Sequence, residues 1–437
     1  MQRRAFLYSM AAAATAAASL SARRSHGDTW TDRESVDPDR RAAYYVPGYH
    51  PEYAFYKGGS IILHPDFNSH IPAGYKDRVT LMARVDERDG SVRRNVFPVR
   101  GHDIAVRADG RHAVFNSQNG TTMVSFDPVS LEMDVYLEFE ASMAGGGHSV
   151  YLPDGNTMAV TERQIYRPFS GRAADHYGRI GIRDNTTLKL LETYDCQAIA
   201  PHEVNLTADG KHLVVASYGS TNWPEHEEGP HRYIVEPAIS VLELASGKLV
   251  DRYVPEAADS EYRHLAAYSL DRIFVLQNAK SSFKDVHELM ATRDDVYLPD
   301  LLGEDNLGDV PKPVVRADFS SGRDIRQVGS RDARQMVRAQ SITYDPVHDE
   351  VIASFTTSNY LLVLAGADGS LKRAIETTTM GLRLPRGIVL HPDGLHYAVG
   401  GGWNDIYLFE RGSHRLVRER CQYTYNFEHS HITAVAI

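Results

Sequence analysis

The sequence has little cysteine: two residues in 437, Cys196 and Cys421. That excludes a disulfide scaffold and a four-cysteine zinc site, and it leaves two thiols expected to be buried and unpaired. Positive charge is not in excess either. Forty-seven Lys and Arg stand against 57 Asp and Glu, a net charge of -10, which argues against nucleic acid or an anionic membrane as the main partner. Long apolar runs are missing. The longest, residues 11–18, is too short to span about 30 Å of hydrocarbon, so no membrane span is expected. There is no Gly-x-Ser-x-Gly elbow, phosphate loop, dinucleotide fingerprint, His-Glu-x-x-His or Cys-x-x-Cys-His. The hydrolase, nucleotide and c-type haem readings lose their support accordingly. What remains is a chain with 42% hydrophobic and 24% charged residues, enough for a large core, and 20 histidines to carry its chemistry.

The N-terminus pairs Arg3 and Arg4 with Phe6 and Leu7, continues into a short alanine-rich stretch and leaves through Ser19 and Ser21. A charged start, short apolar core and small-residue exit are the layout of a signal peptide. The paired arginines resemble a twin-arginine signal, whose system carries folded proteins. The reading is an export signal over 1–27, a tyrosine-rich lead-in over 28–58 packing on outer strands, and a periplasmic mature protein of roughly -14 (43 minus 57).

One pattern recurs along the rest: a polar residue, alternating apolar residues, a tight turn, a second apolar strand. It starts at His102, His148, His202, His264, Gln340, Arg386 and His431, with Asp-Gly turns at 109, 154, 209 and 393. Alternation around such a turn predicts a β-hairpin, and a second hairpin follows most first ones, which gives four strands per unit. The starts lie 46, 54, 62, 76, 46 and 45 residues apart, the spacing of propeller blades with insertions. The expected fold is all-β, a seven-bladed β-propeller over 59–437. Its last blade is completed by pairing the C-terminal strand at 431–437 with N-terminal strands at 59–64, 78–86 and 92–98. Closing the ring this way leaves no open sheet edge. Insertions at 162–177, 218–236 and 279–313 fall on the face where each first strand begins. Loops on a rigid scaffold are where function concentrates.

Five of seven units begin with histidine, whereas a composition of 20 in 437 predicts about one-third of one. First strands of propeller blades line the central channel, so His102, His148, His202, His264 and His431 are expected to converge at its mouth as ligands for copper, iron or zinc, or for a small metal-linked molecule. Gln340 and Arg386 fill the other two positions, and an arginine there suits an anionic ligand. Glu203 is a candidate to orient an imidazole or act as a base, although strand alternation sends it away from His202. The loop 223–232 and His429 are secondary candidates. The competing explanation is structural. Gly101-His102 and Gly147-His148 resemble the glycine–histidine pair that holds blades together in common repeat propellers, but the Trp-Asp pair that goes with that role is absent.

Gly101-His102, Gly147-His148-Ser149-Val150, Asp154-Gly155, Thr161-Glu162, residues 177–181, Pro201-His202-Glu203 and Arg263-His264-Leu265-Ala266 resemble a family of Tat-exported bacterial β-propellers of unknown function, often encoded beside imelysin-type, iron-regulated proteins. The resemblance covers residues 100–280 well and later blades loosely, and it departs at the 279–313 insertion and in the Arg386 and His431 blades. It implies a periplasmic propeller linked to metal uptake, with no settled activity to carry over. Propellers with channel histidines that bind copper are similar in fold and residue type only. Three readings stay open: an accessory protein for iron or copper handling, a metal-dependent oxidoreductase or propeller lactonase, and an interaction scaffold for another periplasmic protein with structural histidines.

Overall fold

The computed structural model describes residues 36–48, 54–57, 60–63, 71–72, 75, 79–222, 232–279, 310–427 and 431–437. The expected export signal, most of the 279–313 insertion, the 223–231 loop segment and His429 lie outside them. Among the described residues, no helix is long and apolar enough to cross a membrane.

Seven four-stranded antiparallel sheets form a ring, and each is a blade. Blade 1 runs from Gly101–Val106 to Met133–Glu138, and blade 2 from Met143–Tyr151 to Leu190–Tyr194. Blade 3 runs from Pro201–Leu206 to Leu249–Tyr253, and blade 4 from Ser260–Ser269 to Asp324–Val328. Blade 5 runs from Ala339–Asp345 to Leu371–Glu376, and blade 6 from Ile388–Leu390 to Gln422–Phe427. The first strand of each blade touches the first strands of both neighbours, so these strands surround the axis. Alternation in sequence becomes alternation in space, and residues leaving either face of a sheet meet the next blade. Seven apolar clusters result, one at every blade–blade interface. Ile104 and Phe115 pack on Phe97 and Met82 between blades 7 and 1, for example, and Val204 and Val215 pack on Val150 and Ile180 between blades 2 and 3. Both cysteines are free, Cys196 buried and Cys421 half-buried.

Blade 7 closes the ring, but through a different N-terminal strand than expected. Its order is Thr433–Ala436, Ala42–Gly48, Thr80–Asp86, Val92–Phe97, with Ala42 opposite Ala436 and Ala43 opposite Asp86. The lead-in segment around Tyr44 is therefore a blade strand and does not cover the outer strands. Residues Ser60–Leu63 instead pair with Ala54–Lys57 as a separate hairpin. The physical reason is burial. Every residue of Ala42–Gly48 is enclosed on both faces, so the strand shows no polar alternation and its Pro-Gly end reads as a loop.

A second feature was hidden by the assumption of strict alternation. In blade 1, Gly101 faces Ser117 but Asp103 faces Asn116, which leaves His102 as an extra residue on the inner strand. The same slip leaves His202 extra in blade 3 and Gln340 extra in blade 5. In blades 2 and 4 the slips fall between Gly145 and Ser149 and between Tyr262 and Leu265, bracketing His148 and His264. In blade 6, Arg386 and Gly387 both bond Gly400. A β-bulge re-aims a side chain and bends its strand, and here it recurs at or beside the residue that starts the units of blades 1 to 6.

Candidate metal centre

Four bulges and the residue two before Thr433–Ala436 bring five imidazoles to the axis. Ring centroids of His102 lie 5.1, 4.9, 5.9 and 4.4 Å from those of His148, His202, His264 and His431. All five side chains are buried. Close approach depends on Gly147, held at φ 124°, because a Cβ there would come within 2.8 Å of both the His102 and the His202 rings. The backbone is clamped from blades 1 and 2. Thr161 Oγ1 donates to the carbonyls of His148 and His202 at 3.0 and 2.9 Å, and Asn116 Nδ2 donates to the His148 carbonyl.

Four of the five can act together. Ligand atoms of His102, His148, His264 and His431 all lie within 4.8 Å of one another, and the Nε2 atoms of His102 and His431 are 3.0 Å apart. Tetrahedral nitrogen ligands at 2.0–2.1 Å from a metal sit about 3.3 Å from each other, so the group could hold a metal ion with small adjustments. His202 stands apart. Its Nδ1 meets the Gly146 carbonyl at 2.5 Å, which only accepts, so Nδ1 carries the proton. Nε2 then accepts from the Tyr218 hydroxyl at 3.1 Å, and the two rings stack with centroids 4.3 Å apart. His202 is thus a wall of the site with both nitrogens engaged.

Carboxylates from neighbouring blades reach the imidazoles. Glu203 Oε2 accepts from His264 Nδ1 at 2.9 Å and from the Leu265 amide at 3.1 Å, and Asp103 Oδ2 lies 3.3 Å from His148 Nδ1. Alternation put Glu203 on the wrong side because it was measured against His202 of its own strand. The bulge at His202 lets the next residue reach the following blade. A carboxylate on one ring nitrogen fixes the tautomer and turns the other nitrogen's lone pair toward a metal. Asp103 and Tyr218 went unrecognised in the sequence; the acid directly after the histidine in two units, His102-Asp103 and His202-Glu203, was the available signal.

Burial holds the proton affinity of His102, His202 and His431 well below the usual imidazole range, and neighbouring imidazoles add to it. His264 is lowered too, by burial first, with Glu203 pulling the other way. Neutral imidazoles in a carboxylate-backed cluster are what copper, zinc or iron requires of nitrogen ligands. Gln340 is buried in the first strand of blade 5, and Arg386 is half-buried just before that of blade 6.

Residues 95–301 match a family described as a protein of unknown function, DUF1513. No curated protein matches the chain. Two solved structures similar in fold are Kuenenia stuttgartiensis hydrazine synthase and a candidate 6-phosphogluconolactonase from Bacteroides fragilis. The first has a TM-score of 0.54 and 14% identity, covering 84% of this chain and 96% of that one. The second has a TM-score of 0.51 and 14% identity, covering 91% and 100%. At that identity the likeness establishes the propeller and nothing finer. The matched residues run from the last strand of blade 7 into the insertion of blade 4 and include His102, His148, His202 and His264.

Proposed function

We infer that this propeller binds a transition metal ion, copper, iron or zinc, at the axis through His102, His148, His264 and His431. The observation that carries the reading is the meeting of four buried imidazoles from blades 1, 2, 4 and 7 within 4.8 Å. His202 supports the site as a wall, Glu203 sets the tautomer of His264, and Asp103 places a carboxylate beside His148. Gln340 and Arg386 occupy the equivalent bulges of blades 5 and 6 and complete the ring, with Arg386 offsetting negative charge. The twin-arginine pattern at Arg3 and Arg4 supports a periplasmic location for the mature protein. That location suits an accessory role in metal handling, because a folded metal protein is the cargo that export route accepts.

Elemental analysis of protein purified from periplasm tests the reading, alongside a His102→Ala/His431→Ala double variant. Near one equivalent of metal in the wild type, lost in a variant whose circular dichroism is unchanged, is the expected result. No metal in the wild type and no uptake on titration would sink it. Turnover by the metal-loaded protein in oxidase or lactonase screens would move the assignment from accessory protein to enzyme.

A further inference from the structure

Arg163 is a buried arginine with no counter-charge among the described residues. It lies on the second strand of blade 2 opposite Ala144, four residues before His148, and only 1% of it is exposed. Its Nη1 donates to the Asn119 side-chain carbonyl. Its guanidinium sits 3.8 Å from the centroid of the Tyr166 ring and 5.6 Å from that of Tyr218, the tyrosine bonded to His202. Among the described residues, no carboxylate lies within ion-pair distance of Arg163, and neither Nε nor Nη2 has a hydrogen-bond partner. The arginine on the other contact of the Tyr218 ring, Arg263, differs: its Nη2 meets Glu261 at 3.1 Å.

The unpartnered edge is the one this protein uses to hold carboxylates. Arg88 grips Asp86 through Nε and Nη2 at 3.0 and 2.7 Å, Arg107 grips Asp109 at 3.0 and 2.9 Å, and Arg334 grips Asp332 at 2.9 and 2.8 Å. Arg411 holds the buried Asp345 through the same two atoms. A guanidinium keeps its charge when buried, and an isolated buried charge is costly unless something pairs with it. Aromatic faces and one neutral amide give only part of that compensation.

We propose that the buried Nε–Nη2 edge of Arg163, beside the Tyr218–His202 side of the histidine cluster, is an anion subsite that receives a carboxylate-bearing small molecule in two-point fashion. Tyr166 and Tyr218 flank it, and Tyr218 links it through His202 to the imidazoles. The proposal does not depend on the metal.

Calorimetric titration of the full-length, metal-free protein with malonate tests it, with inorganic phosphate run beside it. Malonate binds the wild type, and Arg163→Gln weakens it by about tenfold or more, the loss expected for hydrogen bonds to a charged group. Arg163→Lys keeps a point charge without the fork and falls between the two. Asn119→Asp is nearly isosteric and supplies an internal carboxylate at Nη1. It weakens malonate binding and raises the Tm of the ligand-free protein, so the test survives if the Arg163 variants fail to fold. Metal content stays that of the wild type in all three, which separates failure here from failure of the metal assignment. No heat with the wild type, or unchanged malonate affinity in Asn119→Asp, would overturn the subsite. Phosphate binding more tightly than malonate would overturn the carboxylate class.

Discussion

The molecule holds a second buried histidine group, and setting it against the axial cluster shows what distinguishes a site from a staple. His391, Asp393 and His396 also lie close enough to hold an ion. They sit at the junction of blades 6 and 7, where every donor already has its acceptor. His391 Nε2 meets Glu87 at 2.8 Å and its Nδ1 meets Asp393 at 3.0 Å, while His396 Nδ1 meets Asp393 at 2.7 Å. Arg420 pairs with both carboxylates at 2.6 and 2.9 Å, and Glu87 also accepts from the Ala42 amide at 2.9 Å. Charges nearly cancel, and carboxylate contacts outweigh burial enough to raise the His391 proton affinity. At the axis, imidazole faces imidazole and proton affinities fall. The junction is a closed network joining the strand that completes the ring to its neighbour, whereas the axis is a set of neutral ligands turned toward one another.

The comparison can be broken most forcefully at the junction. His391→Ala leaves Glu87 and Asp393 facing each other in the interior, and removing one partner of a buried ion pair costs about 3–5 kcal/mol. Denaturant unfolding should show that loss with metal content per folded molecule unchanged. A metal deficit would mean that the two groups are not separate in function. The axis responds in the opposite way. Glu203→Gln keeps size and one hydrogen bond but loses the charge that orients His264, and such outer partners typically change metal affinity about 10- to 100-fold. Competition with a chromophoric chelator should find that drop with little change in unfolding free energy. Unchanged affinity would remove His264 from the ligand set.

Much of this was legible because blades repeat. The polar start, alternating run and Asp-Gly turn at His102, His148 and His202 encode the same hairpin each time, and repetition turns five scattered histidines into one cluster. The strand Ala42–Gly48 was not legible, since a strand buried on both faces has no period-2 signature and its partner Thr433–Ala436 lies at the far end of the chain. The bulges were invisible for a related reason: one extra residue in a pair shows only when both strands are aligned in register. That concealed the reach of Glu203 to His264 and of Asp103 to His148. The junction group was read as a mere turn, because His391-Pro392-Asp393-Gly394 has turn composition and its partners Glu87 and Arg420 come from distant segments. Arg163 carried no sequence signal at all; its isolation is a property of its surroundings.

Proton linkage sharpens the contrast with the smallest effect. For the axial histidines, the folded-state affinity is below that of the unfolded chain, so acidification through the unfolded pKa near 6.5 protonates the unfolded state first. Their contribution to stability is full above that pH and shrinks as pH falls. His391 has the opposite sign: its raised affinity contributes below the unfolded value and is lost as pH rises through the folded one. Four lowered axial imidazoles, His102, His202, His264 and His431, oppose one raised at the junction. The metal-free protein should therefore lose Tm between pH 7.5 and 5.5. His431→Asn removes one lowered group and should flatten that slope, while His391→Asn removes the opposing group and should steepen it. Bound metal adds a second acid-sensitive term, because protons compete for the same nitrogens. Identical pH slopes in the two variants would mean that the axial and junction histidines feel the same environment, and the distinction between site and staple would fail.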